Sequence, residues 1–190
     1  MEKFDLLIKN ADIYTMDDYG TVIKNGVIGI QGDTISLICQ MDALDPCDPE
    51  KVIDAKGSVV FPGFINTHIH IFQSFLKGLG ADHRLIEWLN LSALPYGQYM
   101  TPEQHKLAAQ LACMEAIKSG CTSICEFFYT DQDPELAYSC IDGMKSTGIR
   151  SVFIRTFQDT GEEYGMPKCF IEPVDKAMRE VELLKKKYKE

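Results

Sequence analysis

The stretch Val59-Val60-Phe61-Pro62-Gly63-Phe64-Ile65-Asn66-Thr67-His68-Ile69-His70 decides how this chain is read. An apolar run passes through Pro-Gly and ends in two histidines. In an extended strand residues i and i+2 share a face, so His68 and His70 project together and Ile69 points the other way. Two neutral imidazoles side by side at a strand end form half of a site for zinc or a similar borderline metal. The tripeptide alone is read more simply as a strand with two polar residues on its wet face.

After His70 the hydrophobic period changes from two to helical. Leu85-Ile86-Glu87-Trp88-Leu89 is a short helical patch. Thr101-Pro102-Glu103-Gln104 opens a stronger helix, with Thr101 as N-cap, Pro102 at the first helical position and Gln104 closing a capping box. Leu107, Leu111, Met114 and Ile117 recur as its apolar stripe, and Gly120 ends it. Residues 121–128 read as a short buried strand. Asp133-Pro134-Glu135 opens a second helix with Leu136, Cys140, Ile141 and Met144 on one face, and 150–156 read as a third strand. A third helix is expected over Pro173–Lys189, with Val174, Ala177, Met178, Val181, Leu184 and Tyr188 as its stripe. Strand–helix alternation of this kind implies a parallel sheet. No GxGxxG or GxxxxGK[ST] turn follows any strand, so nucleotide binding of that type is not supported.

Before the decisive stretch the chain is strand-rich. Phe4–Lys9, Ala11–Thr15, Gly26–Ile30, Thr34–Ile38, Lys51–Ala55 and Ser58–Val60 read as short strands. Gln31-Gly32-Asp33 marks a hairpin and residues 42–50, with Pro46 and Pro49, a loop. That pattern is a small β domain over residues 1–61, followed by an α/β domain over 62–190.

The 190 residues are 45% hydrophobic and 25% charged, the balance of a globular chain, and the formal net charge is −9. An acidic chain without a basic cluster argues against nucleic acid as a partner. Lys185-Lys186-Lys187 suits the C-terminal turn of a helix. No apolar run has the length of a membrane span and the first residues lack a signal-peptide core, so a cytoplasmic protein without a membrane partner is expected. The seven cysteines are irregularly spaced, with no CxxC pair, and are expected to be free and to pack as small apolar groups. His83 and His105 are expected at the surface.

Pro62-Gly63-Phe64-Ile65-Asn66-Thr67-His68-Ile69-His70 resembles the first-strand signature of the amidohydrolase superfamily, in its cytosine deaminase and chlorohydrolase branch. The patch Glu87-Trp88-Leu89 and the segment Ala116-Ile117-Lys118-Ser119-Gly120-Cys121-Thr122-Ser123 are similar to that family's run into its second barrel strand. The resemblance implies an incomplete (β/α)8 barrel, its first three βα units, preceded by the N-terminal part of a β-sandwich. It also implies hydrolytic deamination or dechlorination of a nucleobase-like or triazine-like heterocycle.

On the same resemblance His68 and His70 are two ligands of one divalent metal, zinc or else iron, that brings bound water from pKa 15.7 towards about 7. Gln73 matches a substrate-contacting glutamine, or is a loop amide. Arg155 matches a substrate-side arginine, or is a barrel-rim salt bridge. Glu126 lines the site, or makes a structural hydrogen bond. Gly97 stands where adenosine-type relatives carry a ribose-binding glutamate, which favours a free base over a nucleoside such as S-adenosylhomocysteine. The family's third histidine, its proton-shuttling Glu and His and its metal-binding Asp come from later strands. The expected protein is therefore the N-terminal part of an enzyme that is a homo-oligomer when complete. The alternatives are an inactive chain that partners an intact homologue, or an enzyme of the S-adenosylhomocysteine/methylthioadenosine deaminase type.

Overall fold

The computed structural model describes residues 2–130 and 133–188 and divides into two compact units that part between Pro62 and Gly63. The first unit holds β1 (Glu2–Tyr14), β2 (Val22–Gln31), β3 (Thr34–Gln40), β4 (Cys47–Asp54) and β5 (Val59–Val60). They form one sheet in the order β3-β2-β1-β4, with β5 also on β1. β1 runs antiparallel to β2 and parallel to β4 and β5.

The two segments expected as separate strands, Phe4–Lys9 and Ala11–Thr15, are one strand. It bends instead of ending: Asn10 takes φ 56° and the register with β2 shifts between Ile8 and Ala11. The Asn10 side chain donates to Asp54 Oδ1 at 2.9 Å, which holds the bend. The expected hairpin joins β2 to β3, with Gly32 at φ 60°. Phe4, Leu7 and Val27 form one small core, and Ala11, Ile13 and Ile28 another.

The second unit carries the parallel sheet β6 (Phe64–Ile69), β7 (Cys121–Phe128), β8 (Arg150–Arg155), in that order. Between β6 and β7 lie a 3-10 helix over Ile71–Leu76, the short helices α1 (Leu85–Trp88) and α2 (Leu94–Gly97), and α3 (Pro102–Lys118). α4 (Pro134–Lys145) joins β7 to β8, and α5 (Val174–Lys187) follows β8. Lys189, the last residue of the third expected helix, lies outside the described residues.

Helix starts follow their sequence signals. Thr101 Oγ1 accepts from Gln104 N at 3.3 Å while Gln104 Oε1 accepts from Thr101 N at 2.9 Å. Asp133 Oδ1 accepts from Glu135 N at 3.0 Å.

The buried face of α3 is not the expected one. Leu107, Met114 and Ile117 are about half exposed, and the inward face is His105, Ala108, Ala109, Ala112 and Cys113. The cause is close packing against α4. A Cβ built on Gly143 would lie 2.6 Å from Lys106 O and 2.8 Å from Ala109 Cβ. At that separation only Ala, Cys and Gly fit between the helices, and the larger apolar side chains turn outward.

α5 departs only in part: Val174 and Met178 are exposed and Glu180 is buried, while Ala177, Leu184 and Tyr188 of the expected stripe pack inward. α4 packs as expected, through Leu136, Cys140, Ile141 and Met144.

Gly143→Ala is expected to destabilise the chain by about 1–3 kcal/mol, because the obstructing atom is backbone and cannot swing away. Urea unfolding of both forms measures it; an unchanged midpoint would show that α3 and α4 can separate at little cost.

Candidate metal centre

β6 delivers its histidines at the strand's C-terminal end. Ile69 is the register partner of Glu126 and packs against the helices. His68 and His70 therefore face the other side, where the Phe127 ring lies 4.2 Å from that of His68.

Their Nε2 atoms approach to 3.2 Å. Two nitrogens bound to one tetrahedral zinc at about 2.0–2.1 Å stand about 3.3–3.4 Å apart, so the pair fits one ion. His70 Nδ1 lies 2.7 Å from the carbonyl oxygen of Phe127. A carbonyl can only accept, so Nδ1 carries the proton and the lone pair of neutral His70 is on Nε2, facing His68. Burial lowers the pKa of His70, against the raising effect of the Phe127 bond, which favours this neutral form. Among the described residues no group of three His, Cys, Asp or Glu side chains is placed to hold a metal.

Gln73, two residues into the helix after His70, donates through Nε2 to the hydroxyl of Tyr129 at 2.9 Å. The Tyr129 ring stands edge-on to His70 at 4.9 Å, and burial raises its hydroxyl pKa to about 12. Gln73 and Tyr129 thus form a polar pair beside the histidines. Tyr129 is not legible in the sequence as part of the site. It sits one residue beyond β7, and only the strand end hints at it.

Glu126 does not share a face with the histidines. It alternates with Ile124 and Phe128 under the helices, fully buried, and its Oε2 accepts from Ile71 N at 2.8 Å. Of its two expected roles the structure places it in the structural hydrogen bond, because the strand's period of two turns it away from Phe127. Burial raises its pKa to about 8.

Arg155 is likewise committed elsewhere. Its buried guanidinium pairs with Glu172 through Nη1 and with Glu180 through Nη2, and Lys176 stands 3.2 Å from Glu172. The substrate contact expected for Arg155 finds no support in this arrangement. It is a salt bridge, and a buried one.

His105 corrects the surface expectation. It is buried, with Nδ1 3.1 Å from Thr101 O and Nε2 2.8 Å from Thr130 Oγ1. The carbonyl again fixes the proton on Nδ1, so Nε2 accepts from the Thr130 hydroxyl. His83 is exposed, 3.8 Å from Glu87.

The facing imidazoles stand at the C-terminal end of the first strand of a parallel β/α sheet, the end at which barrel enzymes carry their active-site residues. Residues 59–190 match the model of the Amidohydrolase family, and the chain belongs to that family. It is 32% identical over 182 residues to a 5-methylthioadenosine/S-adenosylhomocysteine deaminase of Bacillus cereus (strain AH820), covering 94% of this chain and 39% of that one. Its structure is similar to an atrazine chlorohydrolase from Arthrobacter aurescens TC1 complexed with zinc, with a TM-score of 0.75, 20% identity, and 97% and 43% of the two chains covered. It is also similar to an adenosine deaminase from Xanthomonas campestris with bound zinc, with a TM-score of 0.79, 21% identity, and 100% and 41% covered. At these identities the two structures show the fold. The chain spans about two fifths of the length of these relatives.

The buried groups make stability pH-dependent in opposite senses. Folded Glu126 keeps its proton to about pH 8, while the unfolded carboxyl ionises near 4.5. Between those values the unfolded state binds fewer protons, so stability falls as pH rises. His70 and His105 have lowered pKa values, so they cost stability as pH falls through 6.5. Glu126→Gln is expected to flatten the loss near pH 7.5–8, where the histidines are almost wholly neutral in both states and the slope reaches at most about 1.4 kcal/mol per pH unit. Urea unfolding across that range checks it, and an equally steep loss in the variant would remove Glu126 as its source.

Proposed function

We propose that this chain is the N-terminal part of a metal-dependent aminohydrolase, with His68 Nε2 and His70 Nε2 as two ligands of one divalent cation, zinc before iron. The observation that carries the reading is the facing Nε2 pair at 3.2 Å with the His70 proton fixed on Nδ1. The first unit is read as part of a β-sandwich and residues 62–190 as the opening of a (β/α)8 barrel, whose remaining metal ligands and proton-transfer groups come from beyond the span shared with the relatives.

The reaction is the replacement of an exocyclic amino group on a heterocyclic ring carbon. Water oxygen bonds to the carbon, the C–N bond breaks, and the amino group leaves as ammonia with one of the two water protons, the other staying on the product as a hydroxyl or ring N–H. A divalent cation supplies the Lewis acidity that brings water towards ionisation at neutral pH. In this chain His68 and His70 would hold it, the Phe127 carbonyl orients His70, and Gln73 with Tyr129 would offer polar contacts to a ring beside it. The seven cysteines are all free, as a reducing compartment would keep them, and the complete protein is read as a cytoplasmic homo-oligomer. No helix of the described residues is long and apolar enough to cross a membrane.

Relatives named for 5-methylthioadenosine and S-adenosylhomocysteine favour an adenine nucleoside as substrate. One observation favours a free base or triazine instead. Gly97 is buried, and a Cβ there would lie 3.1 Å from both Phe72 and Thr130, which leaves little room for a ribose-binding carboxylate.

The test is zinc content after dialysis and ammonia release, in the chain completed to the length of its relatives. Methylthioadenosine, S-adenosylhomocysteine, adenine, guanine and an aminotriazine are the substrates. Both properties are expected in the parent and lost at least about 100-fold in His68→Ala and His70→Ala, with His83→Ala unchanged. Faster release from the nucleosides selects the first substrate reading, and from the bases the second. Dialysis-resistant zinc in both histidine variants would discard the site, and a completed protein inert on every compound would point to the non-catalytic alternative.

A further inference from the structure

The 3-10 helix over Ile71–Leu76 begins where the metal pair ends. Its N-cap residue is His70, whose side chain makes no capping bond because its Nδ1 proton is given to Phe127. The first amides of such a helix have no partner within it. Ile71 is buried, so its N–H cannot turn to water without cost. Glu126 supplies the missing acceptor from the neighbouring strand: its Oε2 takes the Ile71 N–H at 2.8 Å.

The position is otherwise one for an apolar residue. Ile124 and Phe128 flank Glu126 on the same face, among Ile71, Cys113, Cys140 and Met144. Among the described residues nothing hydrogen-bonds its other oxygen, Oε1. A buried carboxyl with one bond is costly, and that bond is to the residue directly after His70.

Two successive residues of β7 therefore grip two successive residues of the segment that leaves β6. The Phe127 carbonyl takes the imidazole of His70, and the Glu126 side chain takes the amide of Ile71. The second bond fixes the peptide plane that follows His70, and with it the direction in which its Cβ leaves the backbone. The first bond then sets the ring. Neither alone fixes Nε2, because a loose backbone would let the ring follow Phe127 from several positions.

We propose that Glu126 is a positioning residue for the metal centre, which aims His70 by capping the Ile71 amide from the adjacent strand. This rests on the reading of His68 and His70 as a metal pair. It does not need the carboxylate charge, since a neutral acceptor of the same reach serves. It places a group on the helix-covered face of β7, away from the facing imidazole nitrogens, in control of the ligand geometry.

The test compares Glu126→Gln, Glu126→Leu and Ile71→Pro in the 190-residue chain, by imidazole nitrogen–proton correlation spectra without metal and by zinc titration calorimetry. In the parent a single Nδ1–H tautomer is expected for His70. Glu126→Gln keeps the acceptor and should keep that signal and the zinc affinity. Glu126→Leu should average the His70 signal between tautomers and weaken zinc binding by about 10- to 100-fold. Ile71→Pro removes the donor at a first helical position, where proline is tolerated and where the His70 backbone, at φ −113° and ψ 93°, is extended and clear of the helical region that a following proline disfavours. It should reproduce the leucine result.

A cooperatively folding Glu126→Leu with the parent spectrum and affinity would overturn the proposal. If that variant does not fold, an unchanged His70 signal in Ile71→Pro overturns it, and so does loss of the signal in Glu126→Gln. If the spectra change as expected while zinc binding is indifferent to His68→Ala and His70→Ala, the positioning stands and the metal reading fails.

Discussion

The hydrogen bond from His70 Nδ1 to the carbonyl of Phe127 is the interaction on which the rest of the site depends. It leaves the lone pair of neutral His70 on Nε2, facing His68, because it decides which nitrogen of that ring keeps the proton. It exists only because β7 lies parallel to β6 and in register with it, Ile69 opposite Glu126. α3 makes that pairing possible by carrying the chain back to start β7 alongside β6, and its small-residue face lets α4 close down on it. A change in that helix packing would reach the two histidines through the strand register.

Part of this is legible in the sequence alone. The His-x-His at a strand end needs only the period of two. The starts of α3 and α4 need only Thr101-Pro102-Glu103-Gln104 and Asp133-Pro134-Glu135, whose caps are local. What is not legible depends on what lies opposite. The stripe of Leu107, Met114 and Ile117 is a proper helical stripe, and the inward face is nevertheless the one with Ala108, Ala109 and Ala112, because Gly143 of another helix admits nothing larger. His105 reads as a polar residue on a helix. Its burial follows from Thr130, 25 residues away, whose hydroxyl meets it.

Arg155 and Glu126 show the same limit for charged residues. Both stand at strand ends, where barrel enzymes keep their chemistry, and so read either as facing a substrate or as structural partners. A strand end has two faces, however, and only one opens to the site. Arg155 meets Glu172 and Glu180 on a buried face, with Lys176 beside them. Taking these charges from water is costly, and removing a single partner would leave an uncompensated buried ion, so the group is retained or lost as a unit. It ties the segment after β8 to α5 and fixes where Phe170, from that segment, packs beside Tyr129.

Tyr129 thereby becomes the meeting point of otherwise separate parts of the second unit. Its ring touches His70, Phe72 and Phe170, and its hydroxyl holds Gln73. The stretch from His70 to Gln73 is thus held at three places by residues 126–129: Glu126 at the amide of Ile71, Phe127 at the ring of His70, and Tyr129 at the side-chain amide of Gln73. Such redundancy suits a metal pair more than a chance placement of polar residues. A wet strand face needs no control of ring orientation, whereas two ligands that must share one ion lose the bite if either imidazole turns.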